Sequence, residues 1–225
     1  MENAVDRWHR FEGDFMGAYC RLMATLAVIL LIVVLCIVSF TRPVSADESP
    51  FSRWNGMQFQ TNLGGRLGLV DTLTGVTTLN HFHLPEADVS QLFWYTGVDW
   101  KPTDWLSVSP RVGMTAKFSA DGQDMFLASL WLTLTPVDYF SVFVEGDFYL
   151  NDDQYDYYGY YALDFLTGSL FNVGFQAEEV NRLVIFGAHV GTSVGVWHIE
   201  VQYYTGLQAE NYGHSVRLLN VITFE

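Results

Sequence analysis

Residues 105–118 read WLSVSPRVGMTAKF. Leu106, Val108, Pro110, Val112, Met114, Ala116 and Phe118 take one parity, and Ser107, Ser109, Arg111, Thr115 and Lys117 take the other. Successive side chains of an extended backbone point to opposite faces, so this stretch is a strand with one greasy face and one polar face. Pro110 has no N–H to give a ladder and is the one residue out of character.

The same period continues on both sides. Lys101-Pro102-Thr103-Asp104 is a tight turn, because Pro fixes φ and the Asp side chain can bond the turn backbone. Before it, Val89–Trp100 sets Leu92, Trp94, Val98 and Trp100 against Gln91, Tyr95 and Asp99, and Met57–Val70 sets Met57, Phe59, Leu63, Leu67 and Leu69 against Gln58, Gln60, Asn62 and Arg66. After it, Met125–Pro136 opposes Phe126, Ala128, Leu130, Leu132 and Leu134 to Ser129, Thr133 and Thr135. Tyr139–Leu150 opposes Phe140, Val142, Val144, Phe148 and Leu150 to Ser141, Glu145 and Asp147.

Tyr155–Leu166 is Tyr-rich and carries Asp164, and Ser169–Ala177 places Phe171, Val173 and Phe175 opposite Asn172 and Gln176. Leu183–Gly191 is short and contains glycine. Thr192–Tyr204 opposes Trp197, Ile199, Val201 and Tyr203 to His198, Glu200 and Gln202, and His214–Glu225 opposes Val216, Leu218, Ile222 and Phe224 to Ser215, Arg217 and Thr223.

This pattern predicts about ten strands, with eight or twelve as alternatives because 71–88 and 155–191 are ambiguous. Connections near 101–104, 136–138, 167–168 and 191–192 read as short. Those near 71–88, 119–124, 151–156, 178–182 and 205–213 read as longer. One rim then carries turns and the other loops, and an even strand count puts both ends of the sheet on the turn rim.

The first 46 residues are of a different kind. Ala24–Phe40, ATLAVILLIVVLCIVSF, is apolar apart from Thr25 and Ser39; Arg21 precedes it and Val44-Ser45-Ala46 follows. That is the order of a secretory signal peptide with a small-residue cleavage site. The run also approaches the length of an uncleaved anchor. The sequence therefore divides into a leader over 1–46, a lead-in over 47–56 and a β domain over 57–225. Cys20 and Cys36 both lie in the leader, so a cleaved chain has no thiol for a disulfide, a metal or a nucleophile.

Charged residues make up 16% of the 225 residues, against about 25% in an ordinary soluble domain. The net charge is −14, and the leader is neutral, so the β domain carries all of the excess. A polyanion needs a basic face, which argues against nucleic acid as a partner.

Over Met57–Glu225 the chain resembles bacterial outer-membrane β-barrel proteins as a general class. The resemblance rests on a leader followed by strands of 9–14 residues, long enough to cross a hydrocarbon layer at a tilt. It also rests on aromatics near strand ends, namely Trp100, Trp105, Tyr139, Phe140, Tyr203 and Phe224, and on a final strand with an aromatic on its apolar face, here followed by Glu225. It implies an all-β, antiparallel, up-and-down transmembrane barrel in the outer membrane. Lipid and lipopolysaccharide would be its surroundings, and the barrel-assembly machinery would engage its C-terminal strand. The physical argument is separate: a sheet in lipid must satisfy every backbone donor and acceptor, which only closure achieves. A soluble β-sandwich has the same period, with shorter strands of about 5–6 residues.

In a barrel the polar face lines the lumen. That face gathers Arg66, Arg111, Lys117 and Arg217 with Asp99, Glu145, Asp147, Asp164 and Glu200, and His198 stands beside Glu200 in the same row. A narrow lumen favours pairing of these charges across it, as a plug of salt bridges or as a small polar path. The role expected is structural or porin-like, without catalysis or cofactor. A barrel enzyme acting on outer-membrane lipid or protein would draw on His198 with Glu200 or His214 with Ser215; no G-x-S-x-G motif is present. A soluble periplasmic binding protein is the third reading. His81-Phe82-His83 with Glu86 and Asp88 falls in the first long connection and lacks the ligand spacing of a metal loop. Asp152, Asp153 and Asp156 lack EF-hand spacing and read as a solvated acidic loop.

Overall fold

A computed structural model describes residues 56–85, 89–117, 125–150, 157–166, 171–180, 183–206 and 213–224. The leader and the acidic stretch with Asp152, Asp153 and Asp156 lie outside them, as do Glu86 and Asp88. Eleven strands follow one another: β1 (Gly56–Val70), β2 (Leu73–Leu84), β3 (Val89–Thr103), β4 (Leu106–Lys117), β5 (Phe126–Val137), β6 (Phe140–Tyr149), β7 (Tyr157–Leu166), β8 (Asn172–Val180), β9 (Leu183–Val194), β10 (Trp197–Gly206) and β11 (His214–Phe224). Each pairs with its sequence neighbours, and β1 pairs with β11, so the sheet is a closed barrel.

The count is one more than the sequence pattern predicts. The addition is β2, which lies in the stretch read as a long connection, and it follows β1 after only Asp71 and Thr72. Its alternation is inverted near one end: Phe82 and Leu84 are buried while His81 is exposed on the opposite face. Two boundaries also move. β8 continues through Glu178 to Val180, where a loop was expected, and β9 runs past Gly191 to Val194. The β9–β10 turn is Gly195-Val196, with Gly195 at φ +61°, a left-handed conformation that glycine adopts without penalty.

An odd number of up-and-down strands leaves the first and last pointing the same way. β1 and β11 are therefore parallel, in a register running from Gly56 opposite Ser215 to Gly65 opposite Phe224, while every other pair is antiparallel. The chain enters β1 at the mouth that bears the 118–125, 150–156 and 207–213 connections. It leaves β11 at the mouth with the turns 71–72, 104–105, 138–139 and 195–196. The expectation that both ends share the turn mouth fails because β2 reverses the chain once more.

The two faces differ as the alternation requires. Phe59, Leu67, Trp94, Val112, Phe126, Leu130, Phe175, Val190, Val201 and Phe224 are exposed on the outside. Gln58, Asp99, Asp147, Gln176, Glu178, His189, Glu200, Gln202 and Arg217 are buried within. The interior is mixed, since Phe82, Leu84, Leu127 and Ile185 are buried there beside the polar residues, whereas the outer face is predominantly apolar.

Candidate functional site

Among the described residues the interior holds four polar groupings. The first lies toward the loop mouth. Arg217 on β11 forms an ion pair with Glu178 on β8, and its Nε donates to Gln58 Oε1 on β1 at 3.0 Å. Tyr204 donates its hydroxyl proton to Glu178 Oε1 at 2.7 Å, and Gln202 Nε2 reaches Tyr160 Oη at 3.1 Å. The guanidinium also lies over the rings of Phe82 and Tyr204, at 5.2 and 4.9 Å from their centroids. These residues come from β1, β2, β7, β8, β10 and β11, so the cluster reaches across the lumen.

The second cluster gives Asp99 two cations. Arg66 Nη2 donates to it at 2.8 Å and Arg111 Nη2 at 3.3 Å. Arg111 also stacks 3.5 Å above the Trp131 ring and donates to Ser109 Oγ and Thr78 Oγ1. The third surrounds Asp147, which accepts from Tyr95 Oη at 2.7 Å and from Ser129 Oγ. Tyr95, Trp131, Phe143 and Tyr160 continue it as a chain of ring contacts along the inner wall from β3 to β7.

The fourth lies toward the turn mouth. His189 on β9 places Nε2 2.8 Å from Asp164 Oδ1 on β7, and its Nδ1 lies 2.5 Å from Gln176 Oε1 on β8. Glu200 on β10 accepts from Gln202 Nε2 at 2.7 Å and from Asn172 Nδ2 at 3.4 Å, and it lies 3.2 Å from His198 Nε2. His198 Nδ1 in turn meets Ser193 Oγ at 2.9 Å. Asn172 Nδ2 donates to Asp164 Oδ1 at 3.2 Å, which links the two carboxylates. Beside this cluster a recess of about 570 Å³ is lined by Ser193, His198, Val221 and Thr223, with Trp197 and Phe224 at its apolar edge.

Arg66, Asp99, Arg111, Glu145, Asp147, Asp164, His198, Glu200 and Arg217 all stand on the inward parity of their strands. Lys117 is placed by its backbone alone, opposite Gln91. The groupings are joined: Gln202 Nε2 contacts both Tyr160 and Glu200, which links the first to the fourth, and Trp131 lies between Arg111 and Tyr95, which links the second to the third. His198 and Glu200 meet as their spacing suggests. His214 and Ser215 do not: Ser215 is buried within, whereas the His214 ring stacks on Tyr203 outside and its Nδ1 lies 2.6 Å from Tyr203 Oη. Adjacent residues of one strand face opposite ways and cannot act together. His81 and His83 are on strand β2 and not in a loop, with His81 Nε2 2.9 Å from Ser90 Oγ and His83 Nδ1 3.2 Å from the Val89 carbonyl.

Glu178, Gln176 and His189 were not singled out by the sequence. Glu178 sat in the expected loop, although Asn172, Gly174, Gln176 and Glu178 share one parity and the alternation could have been carried through. His189 lies in a stretch where Gly187 and Gly191 empty the polar face on either side of it.

No protein-family model and no curated protein matches the chain. A solved structure described as "Unveiling the Mechanism Behind the in-meso Crystallization of Membrane Proteins" is similar in fold, with a TM-score of 0.51 and 11% identity over 72% of this chain and 80% of that one. The chain is an all-β closed barrel, and its likeness to that structure is one of fold.

Proposed function

We propose that this protein is an outer-membrane barrel with a structural role, its lumen sealed by side chains and not open as a pore. The distribution of polarity carries the reading. Arg217 is 3% exposed and Glu178 0% exposed inside the ring, while Leu67 is 69% exposed outside it. In water that exterior would be an aggregation surface; in hydrocarbon it is the favourable arrangement, and closure leaves no unpaired sheet edge. The Arg217 cluster and the Tyr95–Trp131–Phe143–Tyr160 rings, all on the inner face, support this reading. The leader supports export, and the outer membrane is the envelope layer that such barrels span.

Two measurements test this. The purified chain should need detergent to stay dispersed and should migrate faster on a gel before boiling than after. Reconstituted in a planar bilayer, it should give no discrete conductance steps. Regular open-channel steps would replace the structural role with a porin-like one, and a monomer stable without detergent would end the membrane reading.

A second reading rests on the hydrogen-bonded order Ser193–His198–Glu200 beside the recess. An acid that orients an imidazole, which in turn faces a hydroxyl, is the arrangement of a serine hydrolase. Covalent labelling of Ser193 by a fluorophosphonate, abolished in Ser193→Ala, would favour that reading; an unlabelled folded barrel would remove it.

A further inference from the structure

We infer that Asp164, His189 and Glu200 form a binding site for a divalent transition-metal ion, with zinc the best match, reached from the turn mouth of the barrel. One donor atom from each of the three residues lies within 4.8 Å of the others, and they come from β7, β9 and β10. Tetrahedral zinc with imidazole and carboxylate ligands holds its donor atoms about 3.3 Å apart. The 2.8 Å between His189 Nε2 and Asp164 Oδ1 needs only a small outward movement to admit the ion.

Three further observations point the same way. The first is the fixing of the imidazole. His189 Nδ1 is held by Gln176 Oε1 at 2.5 Å, which places a proton on Nδ1 and makes Nε2, 2.8 Å from Asp164 Oδ1, the nitrogen that would take the ion in place of the proton it shares with that carboxylate. Metal-bound histidines are oriented by such a bond from their other nitrogen. His198 does the same for Glu200 from the solvent side, at 3.2 Å, and is a positioning residue.

The second is the space for the ring. Gly174 is inward-facing on β8, and a Cβ there would sit 2.2 Å from the Leu163 carbonyl oxygen and 2.5 Å from His189 Nε2. A Cβ at Gly191 would sit 2.5 Å from Asn172 Oδ1 and 2.8 Å from His198 Cε1. Both glycines keep this end of the lumen open around the donor atoms.

The third is charge. Asp99 has Arg66 and Arg111, and Glu178 has Arg217. Among the described residues, Asp164 and Glu200 form ion pairs with imidazoles alone. Two enclosed carboxylates require a compensating cation. A divalent ion supplies it, and the adjacent recess gives the ion a route and leaves room for water as a fourth ligand. With no thiolate in the set, imidazole and carboxylate oxygen favour zinc over soft ions such as Cu(I). The site depends on the barrel alone and not on what surrounds it.

The test is zinc titration by calorimetry of the full chain, made without a histidine tag, folded in detergent and stripped with EDTA. The wild type should take up one zinc ion per chain. Glu200→Gln, nearly isosteric, and His189→Ala should lose saturable binding, and Gln176→Leu should weaken it about 10–100-fold. Heat-modifiable migration of each variant establishes that it has folded, and Glu200→Gln carries the test if His189→Ala does not. Absence of zinc uptake by the folded wild type would overturn the site and leave His189 as an imidazolium partner of Asp164. Equal binding by wild type and Glu200→Gln would overturn it too.

Discussion

Arg217 and Glu178 form an ion pair across the lumen, from β11 to β8, with both side chains closed to solvent. Two enclosed charges offset one another's desolvation only while both are present. Arg217→Met should therefore destabilise the barrel by about 3–5 kcal/mol, and the double variant Arg217→Met, Glu178→Leu should recover much of the loss. Urea unfolding in detergent micelles measures both. A double variant no better than the single one would mean that the hydrogen bonds to Gln58 and Tyr204, and not the uncompensated Glu178 charge, set the cost.

Val201 stands near the middle of β10, on the outer face and in register with Val190 and Leu218. A cation facing the centre of a bilayer costs about 2–4 kcal/mol. Val201→Arg should lower the stability of the protein folded in phospholipid vesicles by that amount, while an arginine at Thr205, at the loop-mouth end of the same face, should cost less. Equal and small effects at both positions would place the exterior in water.

The parallel joint is open to a direct check. Met57 and Val216 are opposite one another and both point outward. With Cys20 and Cys36 changed to Ser, the pair Met57→Cys, Val216→Cys should oxidise to a cross-link seen as a mobility change on a non-reducing gel. Met57→Cys with Arg217→Cys should not, because the second cysteine then points into the lumen. The reverse result would mean a closure shifted by one residue.

Glycine substitutions separate close packing from open wall. A Cβ on Gly187 would run into the Tyr203 carbonyl, whereas one on Gly68 would meet nothing within 4 Å. Gly187→Ala should reduce the folded yield sharply, and Gly68→Ala should leave it unchanged, judged by the heat-modifiable fraction after refolding.

The alternation in β3 to β6, β10 and β11 was legible because each has a polar row set against a row of Leu, Val, Phe or Trp. The all-β class followed from it, while closure came from the strand lengths and the resemblance, since a sandwich has the same period. β2 was not legible: its inner row mixes Thr74, Thr78 and Asn80 with Val76, Phe82 and Leu84, and its outer row mixes Leu73 and Leu79 with Thr77, His81 and His83, so neither row is uniformly polar or apolar. The inner apolar residues are there because Phe82 lies beneath Arg217 and Val76 lies opposite Arg66, contacts between strands that no single segment reveals. The His198 and Glu200 pairing was readable from their i, i+2 spacing. The meeting of Asp164, His189 and Glu200 was not, because it depends on which strands curve toward one another around the ring.

The odd strand count has a consequence for engineering. In a barrel of even count a few residues could splice the last strand to the first and allow new termini elsewhere. Here Phe224 and Gly56 sit at opposite openings, so a splice must travel the full height of the wall. At about 3.3 Å per extended residue that takes on the order of ten residues. Reporter tags placed directly before Gly56 and directly after Phe224 would correspondingly start from opposite openings of the ring.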